Sequence, residues 1–176
     1  AKIDFESFVY ARHSIRDYSG KAVSIDLIEQ AAVIAQKTPS VCNRQAWRLH
    51  VYQTPELKRR VINCQGGNRG FGEYINTLLI ITAEVDHFFS PVERNQGFID
   101  GGLYSMSLVY ALHSLGLATC CLNLSLNNKQ EKQLRTVCEI GINELPIMMI
   151  GVGHYLDRFK VARSKRKPIE KVMTVH

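Results

Sequence analysis

The chain has 176 residues, of which 45% are hydrophobic and 22% charged, and its formal net charge is +6. This length and composition are ordinary for a globular protein, and we expect one domain over residues 1–176 with a sizeable core. No apolar run is long enough to span a bilayer, and charges occur throughout residues 1–30, which argues against a membrane segment and a signal peptide.

The numbers and spacings of the cysteines and histidines limit which disulfides and metal sites the chain can form. Five cysteines is an odd number, and their spacing fits neither a zinc finger nor a Cys-x-x-Cys redox motif. We therefore expect free, mostly buried thiols in a reducing cytoplasm. The six histidines fall into no metal-ligand spacing, so the sequence predicts no metal site.

Two helices are predicted before residue 40. The first runs from Asp4 to about Ala11, because its apolar residues fall on one face. Ser24 is a good N-cap for the second helix, in which Ile28 and three alanines recur at helical spacing. Thr38 precedes a proline and should end this helix.

Two strands are predicted on either side of a third helix. Residues 47–51 alternate between apolar and polar side chains, which indicates a half-exposed strand. Thr54 followed by Pro55 starts a helix that runs to about Asn63. Residues 78–83 form a continuous apolar run, which is typical of a buried strand.

The second half contains a long helix and further short elements. Residues 96–115 have a helical pattern, residues 117–124 form a short strand or loop, and residues 146–152 form a last apolar strand. Asn127 or Asn128 caps a helix between the last two segments. Helices and strands do not alternate regularly, so the predicted fold class is α+β.

The 96–115 helix is apolar on several sides. A helix of this kind has to be covered on more than one side, here in part by a second subunit. Gly101 and Gly102 each destabilise a helix interior by roughly 1 kcal/mol relative to alanine, and close packing is expected to compensate.

A short basic stretch follows the first helix and reads Arg12-His13-Ser14-Ile15-Arg16. Guanidinium groups bind phosphate well because they donate two parallel, charge-assisted hydrogen bonds, and the Ser14 hydroxyl adds a donor. The stretch therefore fits a phosphate site. A solvated charge cluster at a helix end explains the same residues equally simply.

A second stretch, Pro39-Ser40-Val41-Cys42-Asn43-Arg44-Gln45-Ala46-Trp47, decides between these interpretations. Together the two stretches resemble the nitroreductase family of FMN-dependent oxidoreductases. The family has an Arg-x-Ser-x-Arg/Lys phosphate anchor and a Pro-Ser-x-x-Asn-x-Gln-Pro-Trp loop, from which this chain departs at Ala46. The resemblance implies a small mixed β-sheet flanked by helices and a homodimer formed along the long helix.

The resemblance assigns roles to the basic residues. Arg12 and Ser14 correspond to phosphate ligands, and Arg166 to a phosphate arginine near the C-terminus. His13 either contacts the phosphate or faces solvent. Arg16 corresponds to the cation beside flavin N1 and the C2 carbonyl, where it acts as an electrostatic stabiliser of reduced flavin.

Other positions are expected to meet the flavin ring. Ser40, Val41, Asn43 and Gln45 correspond to a loop that approaches the flavin from the second subunit. The turn near Leu122 would offer a backbone N–H to flavin N5 or O4.

A glycine-rich loop covers Gly66–Gly72 and has the spacing of neither a P-loop nor a Rossmann turn. By its residues it is a flexible surface loop. By the resemblance it borders the flavin ring.

The implied activity consists of two half-reactions at one cleft. NADH or NADPH passes hydride to flavin N5 and leaves, and an unknown small-molecule acceptor then takes the electrons, in a ping-pong mechanism. The chemistry belongs to the cofactor, so no catalytic residue beyond the flavin is required. The same fold also admits dehalogenation, flavin destruction or azoline oxidation.

The C-terminal segment 156–176 carries most of the net charge, with seven Lys or Arg and two acidic residues. Such a segment closes over a bound phosphate or, in a non-enzymatic protein, binds nucleic acid or anionic lipid. The second explanation leaves the two family stretches without a role. We therefore expect neither nucleic acid nor membrane as a partner.

Overall fold

The computed structural model describes residues 4–176. The helices are α1 (Phe5–Ala11), α2 (Ile25–Ala35), α3 (Pro55–Ile62), α4 (Gln96–Ser114) and α5 (Asn128–Cys138). The strands are β1 (Trp47–Tyr52), β2 (Thr77–Glu84), β3 (Leu117–Leu122) and β4 (Glu144–His154). Each predicted helix and strand is present, and the 117–124 segment resolves into a strand.

Local capping explains where several helices begin. The Asp4 carboxylate accepts a bond from the Ser7 N–H at the start of α1. Asn127, and not Asn128, caps α5, in a capping box whose partner is Gln130. After α4, Gly116 has a φ of +76°, which allows the chain to reverse into β3.

The four strands form one sheet in the order β1-β2-β4-β3, and every neighbouring pair is antiparallel. The expected mixed sheet is therefore antiparallel among these strands. A parallel component is an isolated bridge between Ser14 and Thr119, where the segment after α1 lies along the free edge of β3. β4 also begins earlier than predicted, because a register shift beside Thr82 accommodates Pro146 within the strand.

Helices cover both faces of the sheet and divide the core in two. Alternate residues of β2 point to opposite faces: Leu78 and Ile80 join the core beneath α3 and α5, whereas Leu79 and Ile81 join the core beneath α2 and α4. A strand buried on both faces has a continuous apolar sequence, which explains the apolar run in β2.

The two faces of α4 differ in how this chain covers them. A Cβ added at Gly101 would lie 2.7 Å from Ile147 of β4, so this glycine permits close helix–sheet packing as expected. A Cβ at Gly102 would meet nothing within 4 Å. Phe98, Ile99 and Leu103 of the same outer face are exposed.

Glycines of β4 also have a packing role. Side chains at Gly151 or Gly153 would collide with Ile75, or with Tyr18 and Asn76, which lie against the strand. These glycines therefore serve close packing and form no dinucleotide turn. None of the helices described in residues 4–176 is both long and apolar enough to cross a bilayer.

Candidate functional site

A groove of about 580 Å³ lies between the end of α1, the outer face of α4 and the C-terminal segment. Its lining includes the basic stretch after α1, Met106 and Tyr110 of α4, and residues from Val161 to Arg166. We call it the arginine groove. It brings together the predicted residues Arg12, His13, Ser14, Arg16 and Arg166.

The backbone of the basic stretch is fixed by the sheet. α1 ends at Ala11, the backbone of Arg12 is extended, and the Ile15 N–H donates to the Thr119 carbonyl at 2.9 Å. Ile15 is 1% exposed, so its side chain anchors the stretch in the core. The Tyr18 hydroxyl donates to the Ile15 carbonyl at 2.7 Å and fixes the far end.

The groove is strongly basic. Arg12, Arg16, Arg163 and Arg166 line it together with His13, and its lining contains no carboxylate. Among the residues that the structure describes, none of these four arginines forms an ion pair. Guanidinium groups that converge without an acidic partner suit a phosphate dianion.

Arg12 also influences the core beside the groove. His113 of α4 hydrogen-bonds through Nδ1 to the Tyr155 hydroxyl at 3.1 Å and lies 4.8 Å from the Phe8 ring, centroid to centroid. Burial lowers the pKa of His113 below its usual 6.5, and the positive charges of Arg12 and His13 lower it further. His113 therefore connects α4 to α1, the helix that precedes the basic stretch.

The predicted flavin loop, residues 40–45, lies outside the arginine groove of this chain. Its Cys42, Asn43 and Gln45 have φ values of 49°, 55° and 50°, which are uncommon for residues with side chains. Internal bonds hold this shape, because the Gln45 N–H donates to Ser40 Oγ at 3.0 Å and Gln45 Nε2 donates to Asn43 Oδ1 at 3.1 Å.

Two further contacts fasten this loop to α4 and the segment before it. The Val41 N–H donates to Oδ2 of Asp100 at 3.2 Å, and Asp100 is only 2% exposed. Arg44 donates to Glu93 Oε1 at 2.7 Å and lies 4.7 Å from the centre of the Phe89 ring. The loop is therefore preformed, and its strained backbone is the kind found at binding sites.

Leu122 is the last residue of β3 and is buried, and the chain leaves the strand at Asn123, next to the predicted turn. Its backbone contact with the flavin stays a prediction. Leu122 does not line the arginine groove. Within residues 4–176, no three His, Cys, Asp or Glu side chains come together as a metal site.

Sequence reasoning missed several residues of the site. Arg163 lies one helical-type spacing before Arg166 but contributes to the groove from an irregular segment, so no periodicity could single it out. Met106 and Tyr110 of the 96–115 helix also line the groove.

Comparison with known proteins agrees with this geometry. The model of the nitroreductase family matches residues 9–73, a range that includes both the basic stretch and the 40–45 loop. A nitroreductase family protein from Streptococcus pneumoniae superposes with a TM-score of 0.85 at 18% identity, covering 98% of this chain and 100% of that one. Residues 9–73 therefore match the nitroreductase family, and the chain as a whole has the fold of that solved structure. The resemblance drawn from the two stretches is confirmed.

Curated relatives of the nitroreductase-like chain have different activities. FMN reductase [NAD(P)H] of Bacillus subtilis is 27% identical over 173 residues, which cover 90% of this chain and 68% of that protein. Iodotyrosine deiodinase of Haliscomenobacter hydrossis is 21% identical over 201 residues, which cover 98% of this chain and 89% of that protein.

Proposed function

We propose that this protein is an FMN-dependent oxidoreductase that uses NADH or NADPH as electron donor. The observation that carries the proposal is the arginine groove, which is lined by four arginines that form no ion pair within residues 4–176. Its basic stretch lies within the region that matches the nitroreductase family, and a relative is an FMN reductase.

The donor set of the groove fits the phosphate of FMN. Arg12, Arg163 and Arg166 would bind the phosphate oxygens, with Ser14 Oγ and His13 as further donors. Bound FMN would supply the redox chemistry, taking hydride at N5 from NADH or NADPH and passing it to an acceptor. Arg16 would hold a fixed positive charge beside the pyrimidine side of the ring.

The predicted contacts of the 40–45 loop are proposed to come from a second copy of the chain. Ser40, Val41, Asn43 and Gln45 do not line the groove, so we propose that they reach the flavin of a partner subunit. The exposed outer face of α4 supports a homodimer, because Ile99 and Leu103 are apolar and uncovered. Sedimentation of Leu103→Glu against the wild type tests this: the variant should sediment as a monomer.

We also propose a cytoplasmic location and a single FMN-binding domain. All five cysteines are free thiols, which is typical of proteins in a reducing compartment. Both sides of the one sheet are covered by helices of this chain, which supports a single folding unit.

A second candidate function is reductive dehalogenation. It is favoured by the match to an iodotyrosine deiodinase, which extends over nearly the whole chain. Assays of the FMN-loaded protein with a halogenated phenol and with a nitroaromatic compound separate the two. Release of halide, with no consumption of the nitro compound, would favour dehalogenation.

The proposed function is tested by the absorbance spectrum of the purified protein, before and after addition of NADH or NADPH without air. We expect flavin bands that bleach when the donor is added. A protein that stays colourless after incubation with FMN contradicts the proposal. Flavin bands that persist with both donors would contradict the donor assignment alone.

A further inference from the structure

A buried carboxylate on α4 has no part in the proposed binding of FMN by the groove. Asp100 is 2% exposed and does not line the arginine groove of its own chain. Its Oδ1 accepts a hydrogen bond from Gln96 Nε2 at 2.8 Å, and its Oδ2 accepts one from the Val41 N–H at 3.2 Å. Within residues 4–176 it forms no ion pair. Asp100 therefore joins α4 to the 40–45 loop through neutral donors alone.

An acidic residue in this environment is costly for the fold. Removing a carboxylate from water is unfavourable, and a neutral side chain of the same size avoids most of that cost. The bond to Gln96 lies within α4, one turn away, and adds nothing to the packing of one element on another. The contact that an acid at this position gives to the tertiary structure is therefore the one to Val41.

Val41 lies where the loop enters its unusual backbone. Cys42 and Asn43 follow it directly, with φ values of 49° and 55°, a region that is unfavourable for residues with side chains. Val41 also begins a single helical turn, and the side chain of Ser40, the residue before it, caps no N–H of that turn. An uncapped first N–H needs an acceptor from elsewhere. Asp100 supplies that acceptor from a different element.

α4 connects this contact with the proposed subunit interface. Ile99, next to Asp100 in sequence, is 52% exposed, and Leu103 is 45% exposed. Successive residues of a helix point about 100° apart, so neighbouring residues of α4 face the loop and the outer surface. One rigid helix therefore carries both the attachment of the loop and the proposed contact with a second subunit. A shift of the loop on α4 changes its position relative to that subunit.

We propose that Asp100 is a positioning residue that holds the 40–45 loop of one subunit against the flavin of its partner. It acts through the Val41 N–H and needs no contact with FMN itself. The proposal rests on the proposed oxidoreductase function and on the proposed homodimer. It deepens both by naming a residue of one subunit that controls the FMN affinity of the other.

Fluorescence titration of FMN tests the contact from both sides. Asp100→Asn keeps the shape of the side chain and removes its charge. Val41→Pro removes the N–H donor at the first position of a helical turn, where proline is tolerated. Each change should raise Kd for FMN about tenfold, and the double variant should be little weaker than either, because both changes remove the same contact.

Ser105→Ala is the matched control for a buried polar residue of α4. Ser105 is 3% exposed, and its hydroxyl donates within the helix, to the Gly101 carbonyl at 2.7 Å. It makes no bond to the loop among the residues that the structure describes. Its replacement should leave Kd for FMN unchanged.

Mixed dimers show whether Asp100 acts on its own chain or on the partner. One chain carries Arg12→Ala, the other carries Asp100→Asn, and different affinity tags allow the mixed dimer to be isolated. If the loop acts on the partner, one groove combines an intact Arg12 with a loop whose Asp100 is intact. We therefore expect half of the sites to bind FMN with wild-type Kd. If the loop serves its own chain, both sites are impaired, and this result would overturn the proposal.

The other outcomes separate this proposal from those on which it rests. Wild-type Kd in both Asp100→Asn and Val41→Pro would overturn the role of the contact, even though the wild type binds FMN. Additive losses in the double variant would overturn it too, because the two residues would then act separately. A wild type that sediments as a monomer would overturn the action on a partner. A wild type that binds no FMN would instead overturn the oxidoreductase function.

Discussion

Two groups of arginines in this protein differ in what surrounds them. Arg135 donates to Glu131 Oε1 at 2.7 Å and to the carbonyls of Gly141 and Glu144 at 2.7 and 2.8 Å. Arg44 has Glu93, the His87 carbonyl and the Phe89 ring. The four arginines of the arginine groove have no acidic partner within residues 4–176.

This difference indicates that the paired arginines stabilise the fold and the groove arginines bind a ligand. The guanidinium of Arg135 satisfies carbonyls in the connection from α5 to β4, so its partners are supplied by the fold itself. Within residues 4–176 the guanidinium groups of the groove have no carboxylate partner, and an anion that binds there offsets their mutual repulsion. The first group should therefore control stability and the second ligand affinity.

The largest effect on stability is expected from Arg135→Ala. Loss of the bonds to the Gly141 and Glu144 carbonyls should lower the free energy of unfolding by roughly 3 kcal/mol. Chemical denaturation measures the free energy of unfolding. Arg135→Lys is the control, because lysine keeps the positive charge but lacks the several N–H donors of the guanidinium. If Arg135→Ala is as stable as the wild type, the conclusion that the first group of arginines controls stability is wrong.

Arg12→Ala should produce the converse result. Loss of one charge-assisted phosphate contact should weaken FMN binding by about 1.5–3 kcal/mol, or roughly 10- to 150-fold in Kd. The free energy of unfolding of the FMN-free protein should change by less than about 0.5 kcal/mol. Fluorescence titration of FMN and denaturation of the same samples give both numbers. An unchanged Kd would place Arg12 outside the phosphate site.

Arg44→Ala should have a smaller effect on stability than Arg135→Ala. Its pair with Glu93 is partly exposed, and hydration weakens such pairs. Because Arg44 also fastens the 40–45 loop, the variant should cleave faster at this loop during limited proteolysis. Glu93→Gln is the matched control, and the double variant should add little to either single change. Full additivity would show that the two residues act separately.

The smallest expected effect is a change in the pKa of His113, which lies beside Arg12 and can be followed by NMR. Burial, with Arg12 and His13, keeps the pKa of His113 below 6.5. The unfolded chain then binds more protons, so stability should fall as pH drops from 6.5 towards the pKa in the folded state. A phosphate dianion on Arg12 should raise the pKa of His113, which NMR titration with and without FMN measures. In Arg12→Ala this response should shrink, and a pKa that falls with FMN would contradict the site.

Local signals in the sequence were sufficient for most elements of the fold. The cap at Asn127, the proline after Thr54 and the two-sided apolar run of β2 each act within a few residues, and each lies where predicted. The apolar run predicts a last strand that begins at Pro146. Only the pairing with Thr82 shows that a register shift lets the strand begin at Glu144.

The site was predictable in parts, because its residues are distant in sequence. The basic stretch and Arg166 do converge in the arginine groove, as the family resemblance implied. The pairing of Ser14 with Thr119, which directs that stretch along β3, depends on tertiary structure and leaves no local pattern. The roles of the predicted residues towards FMN stay predictions.

The number of residues from Arg12 to Arg16 also constrains which ligand can bind in the arginine groove. The bridge between Ser14 and Thr119 and the bond from the Ile15 N–H to the Thr119 carbonyl hold this stretch beside β3, with one arginine on each side of the bridge. Inserting a residue between Ser14 and Arg16 would therefore change the distance and direction from one cation to the other. The number of residues between the two arginines therefore limits the length of a ligand that can contact both of them. The groove selects its ligand by this separation as well as by its positive charge.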